Sequence, residues 1–223
     1  HAIVNTDLAT AFQCMSRVAI FKELLDDPNL RPLAPLLRYW YLWQSDLIVA
    51  NPEDATDPFV IRSRSGAQQG CTFGSFLWSL GWQKALVAAA KIAKVTISFI
   101  DDGTYGLPVA DVPKLLDSIA ASAAARGGSL NYSKTLVYYP SAPLPASVQS
   151  LGVRCIDATT APADRGLVVN GIPIGHPDFV SAWMESYIER QRADCLTIRT
   201  TVPEAKVTLQ LLLYCVLPRA GHL

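Results

Sequence analysis

The amino-acid sequence predicts an α+β fold, in which helices pack on one face of an antiparallel sheet. Three observations lead to this prediction. Short apolar segments of strand length alternate along the chain with longer segments whose apolar residues recur at helical spacing. Half of the 223 residues are hydrophobic and 17% are charged, which excludes a disordered chain and supplies the core of one domain. Hairpin signals fall between the helices, as expected when helices back a single sheet.

The sequence of the first third of the chain predicts a strand, two helices and a hairpin. The apolar run that begins at Ile3 ends in an acid at Asp7, which is typical of a short strand. Ser16 is a suitable N-cap for the helix that follows, and Asp27 precedes the proline that ends it. The other elements of this region are a helix over about residues 32–43 and a hairpin of 47–50 with 59–61.

The remaining chain predicts two more strands, a strand pair and four helices. A polar loop over 66–74 leads into a long helix that ends near Lys94, and Val95–Ile100 then alternates as a strand. Residues 101–103 give a tight-turn signal directly after that strand. The later elements are a helix over 110–126, an extended segment over 130–139, a strand pair over 166–175, and helices over about 179–199 and 203–217.

Charge and cysteine content restrict the setting of the protein. The 19 basic and 19 acidic residues balance, so a polyanion would have to be attracted locally. Five scattered cysteines without a Cys-x-x-Cys pair predict neither a disulfide framework nor a zinc site. We therefore expect a reduced, intracellular compartment, either nucleus or cytoplasm, with no membrane partner. The first residue is His1, within a predicted strand, which predicts that the chain was cut from a larger protein.

The residues with the clearest chemical potential are carboxylates at strand ends. Asp101 and Asp102 follow one apolar strand, where adjacent like charges are costly unless cations neutralise them. A solvated Asp-Asp-Gly turn is the simpler alternative. Asp7 also ends an apolar strand, and if the two strands lie side by side, Asp7 and Asp101 converge on a hard-oxygen site of the kind that Mg²⁺ prefers. Two such ions ~4 Å apart can activate a hydroxyl and stabilise a departing oxygen in phosphoryl transfer.

Five segments of the chain follow one another in the order of the motifs of a known family. They are Asp7–Gln13 with Ser16-Arg17, Ser65–Cys71, Phe99–Asp102, Gly128–Lys134 and Gly171–Gly175. On these segments the chain resembles the palm of a reverse transcriptase, an RNA-directed DNA polymerase, most closely the kind encoded by non-LTR retrotransposons. The order and the compatible spacing of all five segments carry the resemblance.

The resemblance implies a domain organisation and an activity. Residues 1–176 would form an N-terminally truncated polymerase palm, and 177–223 the start of a helical thumb. The activity would be template-directed transfer of dNTPs to a primer 3′-hydroxyl by two-metal catalysis, with Mg²⁺, or Mn²⁺ in its place. The implied partners are an RNA template, a DNA primer, dNTPs, and the fingers and thumb of a parent polyprotein. Because the basic fingers precede the first motif in this family, we expect the chain alone to be inactive; whether an endonuclease or RNase H is attached stays open.

The resemblance also assigns catalytic roles to four residues. Asp7 and Asp101 would hold the metal ions, and Asp102 would be an auxiliary ligand or a source of negative field. Lys134 would lie near the β- and γ-phosphates and protonate the leaving pyrophosphate, a general-acid role suited to an amine. The alternative for Lys134 is a solvated lysine at a strand edge.

Three further residues are implied to bind the nucleotide. Phe12 would lie under the sugar and exclude a 2′-hydroxyl, with simple core packing as the alternative. Gln69 and Gly70 would contact the nucleotide and the templating base pair, with a polar loop as the alternative. Thr72-Phe73 departs from the usual Pro-Leu of the family and predicts an altered loop geometry.

Two other functions are compatible with these residues. A catalytically inactive reverse-transcriptase-like scaffold or binding module would keep the fold without metal binding, and an RNA-templated RNA polymerase would share the acidic pair.

A stretch from Val60 to Ile100 contains five basic residues and no acid, which predicts a locally basic surface on a neutral chain.

Overall fold

Strands and helices alternate along the chain in the computed structural model, which describes residues 1–41, 43–54, 56–68 and 70–216. The strands are β1 (Ala2–Thr6), β2 (Leu8–Ala9), β3 (Ser45–Val49), β4 (Phe59–Ser63), β5 (Val95–Phe99), β6 (Asp102–Leu107), β7 (Ser129–Leu130), β8 (Leu136–Tyr139), β9 (Arg154–Asp157), β10 (Gly166–Val169) and β11 (Ile172–Gly175). The helices are α1 (Ala11–Cys14), α2 (Arg17–Asp26), α3 (Ala34–Tyr41), α4 (Gly74–Ala90), α5 (Val112–Ala124), α6 (Ala146–Gln149), α7 (Pro177–Thr201) and α8 (Ala205–Leu211), which continues as a π-turn over Leu212–Val216. Mixed α and β structure around a sheet confirms the coarse fold class.

The main sheet has five strands in the order β5-β6-β1-β8-β9, with β1 at its centre. Strand β1 pairs antiparallel with both β6 and β8. Its side chains alternate between buried and half-buried positions, because residues two apart in a strand lie on the same face. Ala2 and Val4 are fully buried on one face, and this face of β1 meets the core.

Helices cover that face of the sheet. Val4, Tyr105 and Val137 from three adjacent strands belong to one core cluster together with the buried side of α4 and α5. Two buried tryptophans of α4, Trp78 and Trp82, contribute the largest side chains, and their rings lie 5.8 Å apart. Burying residues of this size supplies most of the stabilisation, about 1.5–3 kcal/mol for each large side chain. This face of the sheet is therefore closely packed against the helices.

The opposite face of the sheet is only partly covered. The β10–β11 hairpin turns at Asn170 and Gly171, which both have positive φ, as a two-residue hairpin turn requires. Its Leu167 packs against Tyr138 and Ile156 of the sheet. Towards the other edge, the β5 side chains of this face remain exposed. They are Val95, Ile97 and Phe99.

The sheet is mixed, so the prediction of a wholly antiparallel sheet is wrong at one edge. β8 and β9 run parallel and are joined through α6. Strand β9 was not predicted, because four residues with a charge at each end carry too little periodicity to mark a strand. The predicted extended segment 130–139 is also divided: β7 pairs with β2, and β8 pairs with β1.

Most other elements agree with their predictions to within a few residues. The Ser16 hydroxyl caps α2 by accepting a hydrogen bond from the Ala19 amide at 3.3 Å. The hairpin of β3 and β4 and the hairpin of β10 and β11 both form. The long helix α4 ends at Ala90, four residues before the predicted end, and Leu217, the last residue of the predicted final helix, lies outside the described residues. Within the described residues, no helix is both long enough and apolar enough to cross a membrane.

Buried Asp157 gives the fold a measurable pH dependence. Its carboxylate accepts hydrogen bonds from the Leu144 amide and from the amide and hydroxyl of Thr159, at 2.8, 2.9 and 2.6 Å. The Thr159 hydroxyl and then the Leu144 amide hold the pKa of Asp157 below its usual value of 3.8. A lowered pKa adds stability above the usual value, and this stability is lost as the pH falls through the lowered pKa.

We expect Asp157→Asn to lower the free energy of unfolding at neutral pH by about 1–3 kcal/mol, because an amide NH₂ replaces one accepting oxygen. The difference between variant and wild type should shrink in urea titrations at pH values below 3.8. Asp164→Asn, at an exposed carboxylate, is the control and should follow wild type. A constant difference across this pH range would contradict the assignment.

Candidate functional site

The pairing of β1 with β6 places two acidic residues across from each other. Thr6 is paired with Gly103 at the end of the ladder, and one more step in this antiparallel register sets Asp7 opposite Asp102. The buried faces of the two strands carry Thr6 and Gly103, so the two acids lie on the opposite, open face. Two strands that are far apart in sequence thus bring two carboxylates together at one end of the strand pair.

Asp101 lies in the turn that joins β5 to β6. Phe99 is paired with Asp102, which leaves Ile100 and Asp101 as the two turn residues. Ile100 has φ of 55°, a conformation that a β-branched residue rarely adopts, and the Ser98 hydroxyl donates to its carbonyl oxygen at 3.1 Å. The predicted turn at 101–103 is therefore displaced, because Asp102 already belongs to β6. The strained backbone lies at the residue directly before the two acids. Backbone strain of this kind is often found at functional sites.

The expectation that Asp7 and Asp101 converge from side-by-side strands needs correction. Strand β6 lies between β1 and β5, so the strand that ends before Asp101 does not neighbour the strand that ends before Asp7. Asp102 occupies the position facing Asp7 instead. Asp101 remains adjacent through the chain, in the turn beyond Asp102.

The three carboxylates influence one another electrostatically. Partial burial, followed by the negative charges of Asp101 and Asp7, raises the pKa of Asp102 above its usual value. Like charges held together favour the protonated form, and a cation between them would reverse this effect. The three carboxylates therefore carry an excess of negative charge, which suits the site to a positively charged ligand.

Lys134 is the cation that the structure places against Asp7. Its Nζ lies 4.0 Å from Asp7 Oδ2, and the two side chains are 69% and 36% exposed. An ion pair with this exposure contributes little stability. The position itself is well determined, because the Asn131 amide donates to the Asp7 carbonyl oxygen at 2.8 Å, and Lys134 lies in the turn that begins at Asn131.

Gly103 is required by close packing beneath the carboxylates. A Cβ at this position would lie 2.6 Å from the Tyr105 hydroxyl and 2.8 Å from the Thr6 hydroxyl. The Thr6 hydroxyl donates to the Gly103 carbonyl oxygen at 3.3 Å. Burial raises the pKa of Tyr105, and its hydrogen bond with Thr6 acts in the opposite direction. Packing in the core, and not the environment of the open face, therefore requires glycine at the position after Asp102.

The donor set suits a hard divalent cation, but the carboxylates are not gathered into a closed cage. Carboxylate oxygens are the ligands that Mg²⁺ prefers, and burial together with the charges of Asp101 and Asp7 raises the pKa of Asp102. Across the described part of the chain, no three His, Cys, Asp or Glu side chains are grouped closely enough to hold a metal. Asp7, Asp101 and Asp102 supply the type of donor that such an ion prefers, but they are not close enough together to hold it in this arrangement.

Phe12 is placed in the core. Its side chain is 9% exposed, and its ring stacks on Trp78 with the centroids 5.9 Å apart. This is the arrangement expected of the core-packing alternative.

The loop that is predicted to contact the nucleotide is held by backbone hydrogen bonds to the region of the first motif. Gly66 has φ of +75°, and a Cβ there would collide with the Phe12 carbonyl oxygen, so this close approach requires glycine. The Ala67 amide donates to the same oxygen at 2.8 Å. Gly70 is exposed with φ of +81°. Gln69 lies outside the described residues.

Arg17 holds this loop in place, a role that the sequence does not reveal. Its guanidinium donates to the carbonyl oxygens of Gly66, Tyr41, Ser63 and Ser65 and to the Ser63 hydroxyl, at 2.8 to 3.2 Å. It also lies 5.4 Å from the centre of the Tyr41 ring. Arg17 follows the first motif in the sequence, but nothing local indicates that its partners lie up to 49 residues away.

Comparison with known proteins leaves the site to be interpreted from its own chemistry. No protein-family model and no curated protein matches this chain. A fold class alone does not define an activity, because one architecture hosts many functions. The carboxylates, the lysine and the anchored loop therefore carry the functional argument.

We expect Phe12→Ala to lower the free energy of unfolding by about 3–5 kcal/mol, because it removes a ring packed on Trp78 and leaves a cavity. Phe59→Ala is the matched control, since Phe59 is 54% exposed and its loss should change stability by less than about 1 kcal/mol. Urea unfolding of the two variants makes the comparison. Equal, small changes would show that the Phe12 ring is not part of the core.

Proposed function

We propose that this chain is the palm of an RNA-directed DNA polymerase of the retrotransposon type, acting within a longer polyprotein. The reaction is transfer of a deoxynucleotide to a primer 3′-hydroxyl on an RNA template. The observation that carries the proposal is the pairing of β1 with β6, which brings Asp7 opposite Asp102 and next to Asp101 on an open face. The five motif-like segments of the sequence give the polymerase its particular class.

The side chains have roles that follow from their positions. Asp7, Asp101 and Asp102 would hold divalent cations, which supply activation of a hydroxyl and neutralise phosphate charge when bound. As the primer 3′-hydroxyl loses its proton to water and its oxygen bonds to the α-phosphorus, the bond to the pyrophosphate oxygen breaks, and that oxygen needs a proton. Lys134, with Nζ 4.0 Å from Asp7 Oδ2 and largely exposed, is positioned to bind the phosphates and to donate that proton.

The shape of the sheet supports access to these side chains. Both acids lie on the face of the sheet away from the helices, and Phe99, paired with Asp102, is 64% exposed. An exposed aromatic beside charged groups is a common contact for bases and sugars. A primer end can therefore approach without displacing any part of the core.

An inactive scaffold is the second candidate, and one observation favours it. Within the described ranges, no three potential ligand side chains are close enough to hold a metal. A polymerase has to draw the carboxylates together when cations bind, whereas a scaffold does not. The two candidates therefore differ in whether these acids bind a divalent cation at all.

Calorimetric titration with Mn²⁺ separates the two candidates. We expect Asp7→Asn, Asp101→Asn and Asp102→Asn each to weaken Mn²⁺ binding at least about tenfold, because each removes a charged oxygen ligand. Asp117→Asn, at an exposed acid on α5, is the control and should bind as wild type does. Identical titrations for all four variants would favour the scaffold and contradict the polymerase.

Activity is tested on the intact parent protein with primed RNA, dNTPs and Mg²⁺, because the resemblance implies that fingers and a complete thumb are also needed. Asp101→Asn should abolish primer extension while the protein remains folded. Failure of the wild type to extend any primer, together with an Asp101→Asn variant that differs in no measured property, would overturn the proposal.

A further inference from the structure

Strand β5 forms one outer edge of the main sheet, and this edge is apolar. In the described part of the chain, β6 is the only strand that pairs with β5. The side chains of Val95, Ile97 and Phe99, on the open face, are all exposed. None of the five residues of β5 is charged, proline or glycine, although edge strands usually carry a charge or a proline that discourages pairing with another chain. β5 therefore presents an outer backbone edge beside exposed apolar side chains.

The opposite edge of the sheet is better protected. Strand β9 has four residues, with Arg154 at one end and Asp157 at the other. The Asp157 side chain is buried, so one of these charges points inward. Short length and an inward charge are two ways in which proteins block an edge strand. The open, apolar edge is thus a property of β5 and not of the sheet as a whole.

A second copy of this chain fits the β5 edge, because β5 is complementary to itself. When two copies of β5 run antiparallel about a two-fold axis at Ile97, Val95 of each copy lies opposite Phe99 of the other. Residues that lie opposite each other share a face of the sheet, so all of these side chains meet on the open face. Pairs of an aromatic and a β-branched residue stabilise neighbouring strands. The register therefore brings together all three exposed apolar side chains of each copy.

The charges at the two ends of β5 favour the same orientation. Lys91 and Lys94 precede the strand and are exposed, whereas Asp101 and Asp102 follow it at the tip of the β5–β6 hairpin. Antiparallel pairing brings the basic end of one copy beside the acidic end of the other, and the two-fold symmetry repeats this contact. A parallel arrangement would set like charges side by side. Opposite charges placed in this way select the partner and its orientation.

We propose that β5 pairs antiparallel with β5 of a second copy of this chain, which joins the two five-stranded sheets into one continuous sheet. The two-fold axis closes the assembly, because each copy uses its β5 edge once. The added strands lie in the plane of the sheet, so the open face stays accessible and the dimer does not depend on the proposed function.

The dimer should exchange readily with the monomer. Stable complexes use about 20–30 residues from each side, many more than the five of β5. We expect a dissociation constant on the order of 100 µM, which corresponds to a weak complex.

Sedimentation equilibrium of the full chain over roughly 5–500 µM tests this proposal. Wild type should pass from monomer to dimer as its concentration rises. Ile97→Lys should weaken the dimer at least about tenfold, because it sets two like charges opposite each other at the two-fold axis. Ile48→Lys is the matched control, since it makes the same change at an exposed isoleucine of β3, and it should dimerise as wild type does. Thermal unfolding should show that both variants are folded.

A charge-reversal variant tests the orientation of the two strands. Lys91→Glu/Lys94→Glu places acids beside the acids of the second copy and should also weaken the dimer at least about tenfold. Added salt should weaken the wild-type dimer but strengthen the dimer of this variant, because salt screens attraction in the first and repulsion in the second.

Hydrogen exchange of wild type locates the interface even if a variant fails to fold. The amides of residues 95–99 should exchange more slowly at high than at low protein concentration, because pairing protects them. A chain that stays monomeric, a dimer in which the exchange of 95–99 is unchanged, or growth into larger oligomers would overturn the proposal. Equal weakening by Ile48→Lys and Ile97→Lys would assign the contact to the β3–β4 hairpin and would overturn it too. Neither Mn²⁺ nor a primer is needed for these measurements, so their outcome is separate from that of the proposed function.

Discussion

The antiparallel register between β1 and β6 is the constraint on which the rest of the molecule depends. The same pairing that buries Val4 and Tyr105 under the helices sets Asp7 and Asp102 across from each other on the open face. A shift of one residue would turn the apolar side chains to solvent and the acids into the core. Hydrophobic burial therefore determines the position of the carboxylates, although neither acid contributes to it.

The site carries costs that this packing offsets. Ile100 has a positive φ, and partial burial with two neighbouring acids raises the pKa of Asp102. Gly103 has no Cβ because two hydroxyls occupy the space beneath it. Strained backbone and closely placed like charges persist only where the surrounding packing stabilises them. Here that packing is on the buried side of β6. A bound cation would relieve the electrostatic part of the cost.

The sequence predicted the local elements better than their assembly. Periodicity and capping located α2, α4 and the hairpins, since both signals depend only on neighbours along the chain. The position of β6 between β1 and β5 was not predictable, because it depends on pairing between residues such as Thr6 and Gly103, 97 positions apart. For the same reason the sequence did not show that β6 separates the strand before Asp101 from the strand before Asp7, or that Asp102 is the first residue of β6. The hydrogen bonds of Arg17, whose partners lie 24 to 49 residues away, were not predictable for the same reason.

The location of a bound divalent cation tests the central claim most directly. Paramagnetic broadening of backbone amide resonances by substoichiometric Mn²⁺ reports which residues lie near the ion. The pairing of β1 with β6 predicts that the amides of Asp7, of residues 101–103 and of Lys134 broaden first and together. Broadening confined to the exposed acidic loop that carries Glu53 and Asp57, with residues 101–103 unaffected, would contradict it.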